Sequence, residues 1–551
     1  MRMDLINSAE ILIIDDQALA QNFLKKSLES LGYKHIKIAE SAKHALQLCQ
    51  EQNFSIILCS FNLSRDRDGF HLFEEMKVKG YIRPTTTFIF VSAETSPALV
   101  NSVVELQPDD FLVKPFTAKE LKIRLERVLS RKDKLKSVYR AIESKKYNKA
   151  IQLIDNHLEN PKLAKLAPFL VRIKGDTLLA MEAYEEAERY YHSILEKYRF
   201  AWAQVGLVKA LLALDKNETA EAILTRLVER PESRLAALDL LGQFHLHNDD
   251  FEKAYADFNQ AAELSPRNID RHKNVLNLAR LIHDHNAQFE TAKNIAKYGK
   301  RSIHDSPDLY LTVARAGVDY ALTLSEEESA PILRQSEKYI EEIKKEFPNA
   351  KLAKEKINVT KARIHYLKNE QAQAQQLIQS ALYGNSQSQN IEDDIDKAKA
   401  FHELGHKDAA LELLENIGET NFGNEVSQKV MEQYLKQEAQ ERRDIPFSPR
   451  ELNNMAVGFY SKNQLEPAIQ TFSDALRLMP KNVRIALNFL QVLVDQKKRQ
   501  GLKAHHQPMF DKCMILLSTE KMDDKQQRRF EILRSKANNE GSEFDTINEK
   551  I

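Results

Sequence analysis

The stretch FSIILCSFNLSRDRDGF, residues 54–70, begins as a compact apolar run and turns abruptly into a charged loop. A run that is apolar on both faces, such as SIILC (55–59), suits a strand covered on each side, the situation of a parallel sheet between helix layers. Working outward, ILII (11–14), TFIFVS (87–92) and DFLVK (110–114) have the same character, and HIKIAE (35–40) is a weaker fifth run. Segments of helical period, such as ALAQNFLKKSLESLG (18–32), separate them. Strands alternating with helices predict an α/β domain whose chemistry sits at the carboxyl ends of the strands.

Those ends carry the polar residues. Asp15 and Asp16 close the first strand in chain order, Ser60 the third, Ser92 the fourth, and Lys114, before Pro115, the fifth. Paired carboxylates bind Mg2+, a lysine pairs with a phosphoryl oxygen, and a hydroxyl can hydrogen-bond another. Together they make a pocket for phosphoryl transfer to a carboxylate, yet the third strand ends in a hydroxyl.

On these residues, 10–130 resembles the receiver domain of two-component response regulators, a flavodoxin-like α/β fold with a five-stranded parallel sheet. The resemblance implies that Asp15 and Asp16 are its acidic pair, Ser92 its switch hydroxyl, Phe111 its aromatic switch position and Lys114 its phosphoryl-contact lysine, followed by a cis Pro115. It also implies an aspartate phosphoacceptor where this chain has Ser60. Serine has no carboxylate to attack a phosphohistidine and form an acyl phosphate, and it removes one anionic Mg2+ ligand. Ordinary aspartyl phosphorylation is expected to fail, and Mg2+ is not required; if held at all, it is held weakly by Asp15 and Asp16. Asp66 and Asp68 in the next loop are the candidate substitute acceptors, although Asp68-Gly69 matches the family's own loop DG. With the acceptor gone, an Asp-Lys ion pair would also serve simply to hold the loops together.

From Phe116 to Asn160 there is neither proline nor glycine, and Leu121, Leu125, Val128, Leu135, Tyr139 and Ile142 keep helical spacing. The last receiver helix should therefore pass almost directly into the next domain, with a short break near 130–133, where Lys132 interrupts the stripe, as the equal alternative. Beyond it the chain repeats. LLGQFHLHNDDFEKAYADFNQAAELSP (240–266) and MAVGFYSKNQLEPAIQTFSDALRLMP (455–480) share one skeleton, and Ala150, Ala187, Ala220 and Ala254 recur at intervals of 37, 33 and 34 residues. Ala254, Phe258, Ala261 and Pro266, like Ala468, Phe472, Ala475 and Pro480, resemble the tetratricopeptide pattern, with weaker repeats around Ala292, Ala374 and Ala410.

The expected organisation is a receiver at 1–130 and an all-α, right-handed solenoid of eight to eleven tetratricopeptide-type repeats, with repeats at 131–382 and 397–536. A polar joint is expected at 383–396, an extended or disordered link at 441–450, and a disordered tail at 537–551. Inward positions of the two clearest repeats are Asp239, Gln243 and His247, and Asn453, Val457, Tyr460 and Ser461; they do not resemble a basic clamp for a peptide carboxylate, but they line the expected docking groove.

Composition narrows the function. Lys plus Arg and Asp plus Glu are 80 each, so no net field draws the chain to nucleic acid or an anionic membrane, and no basic recognition helix is evident. Three cysteines without a CxxC fit a reducing compartment, and no stretch has the length or apolarity of a membrane span or a signal peptide. HLHNDD (245–250), HDHNAQ (283–288) and HH (505–506) tempt a metal assignment, but no cysteine or carboxylate completes a ligand set in sequence. Trp202 reads as packing, and no GxSxG, HExxH, P-loop or GxGxxG stands in its required context, so no enzymatic activity is expected. The resemblance implies a bacterial, cytoplasmic signalling adaptor in which the receiver docks on a histidine kinase or another response regulator, or pairs with a second receiver, and the solenoid binds a further protein. The alternatives are a phospho-switch with Asp66 or Asp68 as acceptor, and a structural scaffold of a polar or secretion assembly.

Overall fold

The computed structural model describes residues 8–63, 68–324, 326–348, 353–383, 390–417, 425–445, 447, 449–520 and 522–538. Five strands, β1 (Glu10–Ile14), β2 (His35–Ala39), β3 (Ile56–Ser60), β4 (Thr87–Ser92) and β5 (Asp110–Val113), form one parallel sheet in the order β2-β1-β3-β4-β5. Side chains alternate along each strand. Leu12, Ile14, Ile57, Cys59, Phe88 and Phe90 pack on one face, while Ile11, Ile13, Ile56, Leu58, Ile89 and Val91 pack on the other. Helices α2 (Ala42–Glu51), α3 (Gly69–Val78) and α4 (Pro97–Leu106) cover the first face; α1 (Ala18–Ser30) and α5 (Ala118–Glu143) cover the second.

Local chemistry starts these helices where the chain must leave the sheet. Ser41, Asp68 and Ser96 cap α2, α3 and α4, with Pro97 in the first turn of α4, and Thr117 with Glu120 forms a reciprocal capping box at α5. Gly69 is required by packing. A Cβ there would lie 2.4 Å from the Ser60 carbonyl oxygen, because α3 begins directly against the end of β3.

α5 runs unbroken for 26 residues, so no break occurs near 130–133. Leu121 and Leu125 belong to the sheet's core, whereas Leu135 and Val138 pack with Ile154 of α6 (Tyr147–Leu158) and Leu170 of α7 (Ala167–Ala180). Lys132, which interrupts the apolar stripe, reaches back to Asp109 at 2.7 Å and to the Thr86 carbonyl, and Arg131 pairs with Asp109 at 3.6 Å. The polar interruption thus fastens the helix to the sheet rather than ending it.

The helices that follow form hairpins. In chain order they are α8 (Tyr184–Leu195), α9 (Ala201–Ala213), α10 (Asn217–Val228), α11 (Pro231–His247), α12 (Phe251–Leu264), α13 (Ile269–Leu281) and α14 (His285–Gly299). Then come α15 (Pro307–Ala321), α16 (Glu326–Glu346), α17 (Ala353–Leu367), α18 (Gln371–Tyr383), α19 (Ile391–Glu403), α20 (Lys407–Ile417) and α21 (Glu425–Asp444). The last are α22 (Pro449–Ser461), α23 (Leu465–Leu478), α24 (Val483–Gln500), α25 (Gln507–Thr519) and α26 (Asp524–Asn538). Contacts group the chain into two compact units, Met1–Val275 with Asn294–Asp305, and Leu276–Lys293 with Ser306–Ile551.

Repeat chemistry is visible in the second helix of each hairpin. Ala150, Ala187, Ala220, Ala254, Ala374, Ala410 and Ala468 each stand fourth in their helix and are fully buried. Each lets the partner helix approach closely; opposite Ala254's helix, a Cβ on Gly242 would meet the Phe258 ring at 2.7 Å. In α14 the fourth residue is Gln288, not Ala292, and in α16 it is Ser329; both are buried.

Three segments differ from the sequence reading. Residues 391–396, expected in a polar joint, form the first turns of α19 with Asp393, Ile395 and Asp396 buried; 384–389 lie outside the described residues. Residues 441–444, expected in an extended link, complete α21, while 537 and 538 end α26 and 539–551 lie outside the described residues. Acidic and amide-rich runs read as loops, but their charges are answered inside the fold.

Candidate functional site

The parallel register assembles the strand-end pocket. Ile14 lies beside Cys59, Cys59 beside Phe90, and Phe90 beside Phe111, so the next residues along, Asp15 and Ser60, emerge together at the carboxyl edge. Asp15 is 1% exposed; its Oδ2 accepts from Lys114 Nζ at 3.0 Å and its Oδ1 from the Gln17 amide at 2.9 Å. Asp16 is half-buried beside it. Ser60 is 6% exposed and its hydroxyl donates to the Asn62 carbonyl at 3.1 Å. Ser92 is buried and accepts from the Glu94 amide at 3.0 Å, Phe111 is half-buried against the core, and the Lys114–Pro115 peptide is cis. Burial, with Asp15 and Asp68 nearby, pushes the Cys59 thiol well above its usual range, so the neighbouring side chain is not a thiolate nucleophile. The pocket therefore offers two acids, a lysine and hydroxyls. Asp15 and Asp16 are the carboxylates that could hold a divalent cation such as Mg2+, with Asp15 also paired to Lys114.

The family model described as the response regulator receiver domain matches residues 11–126. Those residues are a receiver domain. Over 126 residues the chain is 27% identical to the probable chemotaxis protein CheY of Rhizobium etli, covering 23% of this chain and 96% of that protein. Over 146 residues it is 27% identical to the aerobic respiration control protein ArcA of Escherichia coli K12, covering 26% of this chain and 59% of that protein. The chain thus spans most of one relative and little more than half of the other. Among solved structures, the chemotaxis response regulator CheY4 of Vibrio cholerae is 26% identical and matches over 22% of this chain and 98% of its own, with a TM-score of 0.21.

The receiver's α3–α4 side is covered by its own helical region. Asp68 caps α3 through the His71 amide at 3.0 Å while its other oxygen accepts from Arg267 Nε at 3.1 Å, and the same guanidinium lies 5.1 Å from the centre of the Phe61 ring. Along α4, Asn101 donates to the Leu264 carbonyl at 3.1 Å, and Ser102 meets Ser265 at 3.3 Å. Glu105 accepts from Ser265, Asn268 and Arg271. Arg271 is 4% exposed and forks onto Asp239 with contacts of 2.8 and 2.7 Å. Burial opposes its charge, but Asp239 and Glu105 outweigh burial and raise its pKa. Asp68, a candidate substitute acceptor, is thus a helix cap and an ion-pair partner; Asp66 lies outside the described residues. Arg267, Arg271 and Glu105 have no signal in sequence, since their pairing joins elements far apart in the chain.

The proposed docking positions have varied surroundings. Asp239 is engaged by Arg271, whereas Gln243 and His247 are exposed. Asn453 accepts from Asn488 at 3.1 Å, Tyr460 donates to Asp495, and Val457 is half-buried, so this part of α22 is turned toward α24. Trp202 packs as expected, stacked 5.7 Å from Phe200.

In the second unit the first helices carry a buried ionic network that the sequence reading missed. Arg315 pairs with Asp393 at 2.7 Å and Asp396 at 3.1 Å; Arg363 reaches Asp396 at 2.9 Å and Asp319 at 2.7 Å; Lys399 meets Asp319 at 2.6 Å. His285, beside it, is half-buried, and desolvation lowers its pKa to about 4. Acids and bases that look like an exposed polar run in α19 find their partners on α15 and α17.

Proposed function

We propose that this protein is a two-component-type signalling adaptor, bacterial and cytoplasmic, with a receiver that takes no ordinary aspartyl phosphate. Its receiver docks on a histidine kinase or another response regulator, and its tetratricopeptide-like hairpins hold a further protein partner. The observation that carries this reading is Ser60: a hydroxyl, donating to Asn62, where the pocket of Asp15 and Lys114 would need a carboxylate nucleophile. Without an acceptor the domain can occupy a kinase's docking surface without draining phosphoryl groups. The reading includes no catalytic activity and no required metal. The cover on α4 adds a second feature: contacts from Glu105 and Asp68 to Arg271 and Arg267 couple the receiver to the segment at 264–271.

The test is intact-mass measurement after incubation with a small phosphodonor and Mg2+, beside a Ser60→Asp protein. The expected result is an unmodified natural chain and a Ser60→Asp variant that gains one phosphoryl group. A phosphoryl group on the natural chain overturns the reading, and Asp66→Ala and Asp68→Ala then locate the acceptor.

A further inference from the structure

The adjacent histidines of HH (505–506) lack a ligand partner in sequence, but the fold supplies one. Residues Ala504–His506 form a short 3-10 turn before α25, and this turn lies against Glu466 in the first turn of α23. One ligand atom from each of Glu466, His505 and His506 falls within 4.8 Å of the others, and His506 Nε2 stands 3.6 Å from Glu466 Oε2. In tetrahedral sites with bonds of about 2.0–2.1 Å, ligand atoms lie roughly 3.3 Å apart, so only a small closure is needed.

A single buried amide orients two of the three. Gln496, 1% exposed, donates Nε2 to Glu466 Oε1 at 3.1 Å and presents Oε1 to His506 Nδ1 at 2.8 Å. The carboxylate can only accept, which fixes the amide's orientation, so His506 must carry its proton on Nδ1. Its Nε2 lone pair then faces Glu466 Oε2. His506 is itself 3% exposed, while His505 and Glu466 are open to solvent. Orientation of a ligating histidine through its other nitrogen is the usual supporting arrangement of a metal site.

We infer that Glu466, His505 and His506 form a binding site for a divalent transition metal of the zinc class, with a fourth position open to water. Imidazole and carboxylate together suit Zn2+, Ni2+ or Cu2+ rather than Mg2+ or Ca2+. Lys503, whose ammonium contacts Glu466 Oε1, occupies the carboxylate when no metal is bound. A metal bound through Oε2 sets a second positive charge beside that ammonium and ties the turn before α25 to α23.

Metal-free full-length protein should be titrated with Co2+ by visible absorption and with Zn2+ by calorimetry. One equivalent should bind, with Co2+ bands of low-coordinate type. His505→Gln and Glu466→Gln, both at exposed side chains and checked for folding by circular dichroism, should each weaken binding by about tenfold or more. Lys503→Gln should tighten it several-fold, which loss of a merely structural contact would not do. Absence of binding, or binding of unchanged strength in both ligand variants, overturns the inference.

Discussion

Ser60 and its neighbours set the chemistry one side chain at a time. The strand ends were legible because polar residues closing apolar runs have few other reasons to be there, and Asp15, Ser60, Ser92 and Lys114 do gather at one edge of the sheet. Arg271 was not legible, because its value comes from Glu105 and Asp239, which only the folded chain brings to it. Replacing Arg271 with Met should leave two close carboxylates without their cation and cost about 3 kcal/mol; a lower melting temperature and faster amide exchange across α4 are the expected readouts, and unchanged exchange there would argue against the pairing. At Gly69, alanine would press on the Ser60 carbonyl, so Gly69→Ala should destabilise the receiver by about 1–3 kcal/mol, seen as a lower melting temperature.

Hairpins were recognised from alanines, and their loss of period has a physical source. Gln288 is accommodated at the alanine position of α14 because its amide turns to the Ala279 carbonyl at 3.4 Å, and Ser329 fits by being small. The turns hide a second regularity. Lys145, Glu182, Asp215, Asp249, His283, Asn369, Gly405 and Asn463 occupy the same place between paired helices with φ between 53° and 88°. Seven different non-glycine positions reveal nothing in sequence, since the left-handed conformation is imposed by closing the hairpin, at about 1 kcal/mol each. Lys145→Gly and Asp215→Gly should therefore raise the melting temperature, by an amount worth up to about 1 kcal/mol apiece; a fall would show that the side chains contribute more than the strain.

Across the molecule, buried charge makes the second unit sensitive to acid. Burial lowers His285, which faces Asp319, His283, Lys399 and Glu438, and His402, near Arg442, Glu438 and Lys407, to about 4 each. The unfolded chain binds these protons at the ordinary histidine pKa of 6.5, so the stabilisation is complete above that pH and is lost as pH falls toward 4. The loss should reach about 3 kcal/mol per histidine at most, measured by urea unfolding followed by circular dichroism from pH 7 to 4.5, and His285→Gln should flatten the dependence. By itself the sequence determined the receiver's strands, its pocket residues and the alanine-bearing hairpins, because apolar period and small-residue spacing are local consequences of how strands and helices pack. Tertiary structure alone decided that Asp393 and Asp396 are buried rather than looped out, that α5 continues through Lys132, and that Arg267 and Arg271 bind the receiver. In each case a charged residue becomes tolerable inside only when its partner arrives from a distant segment.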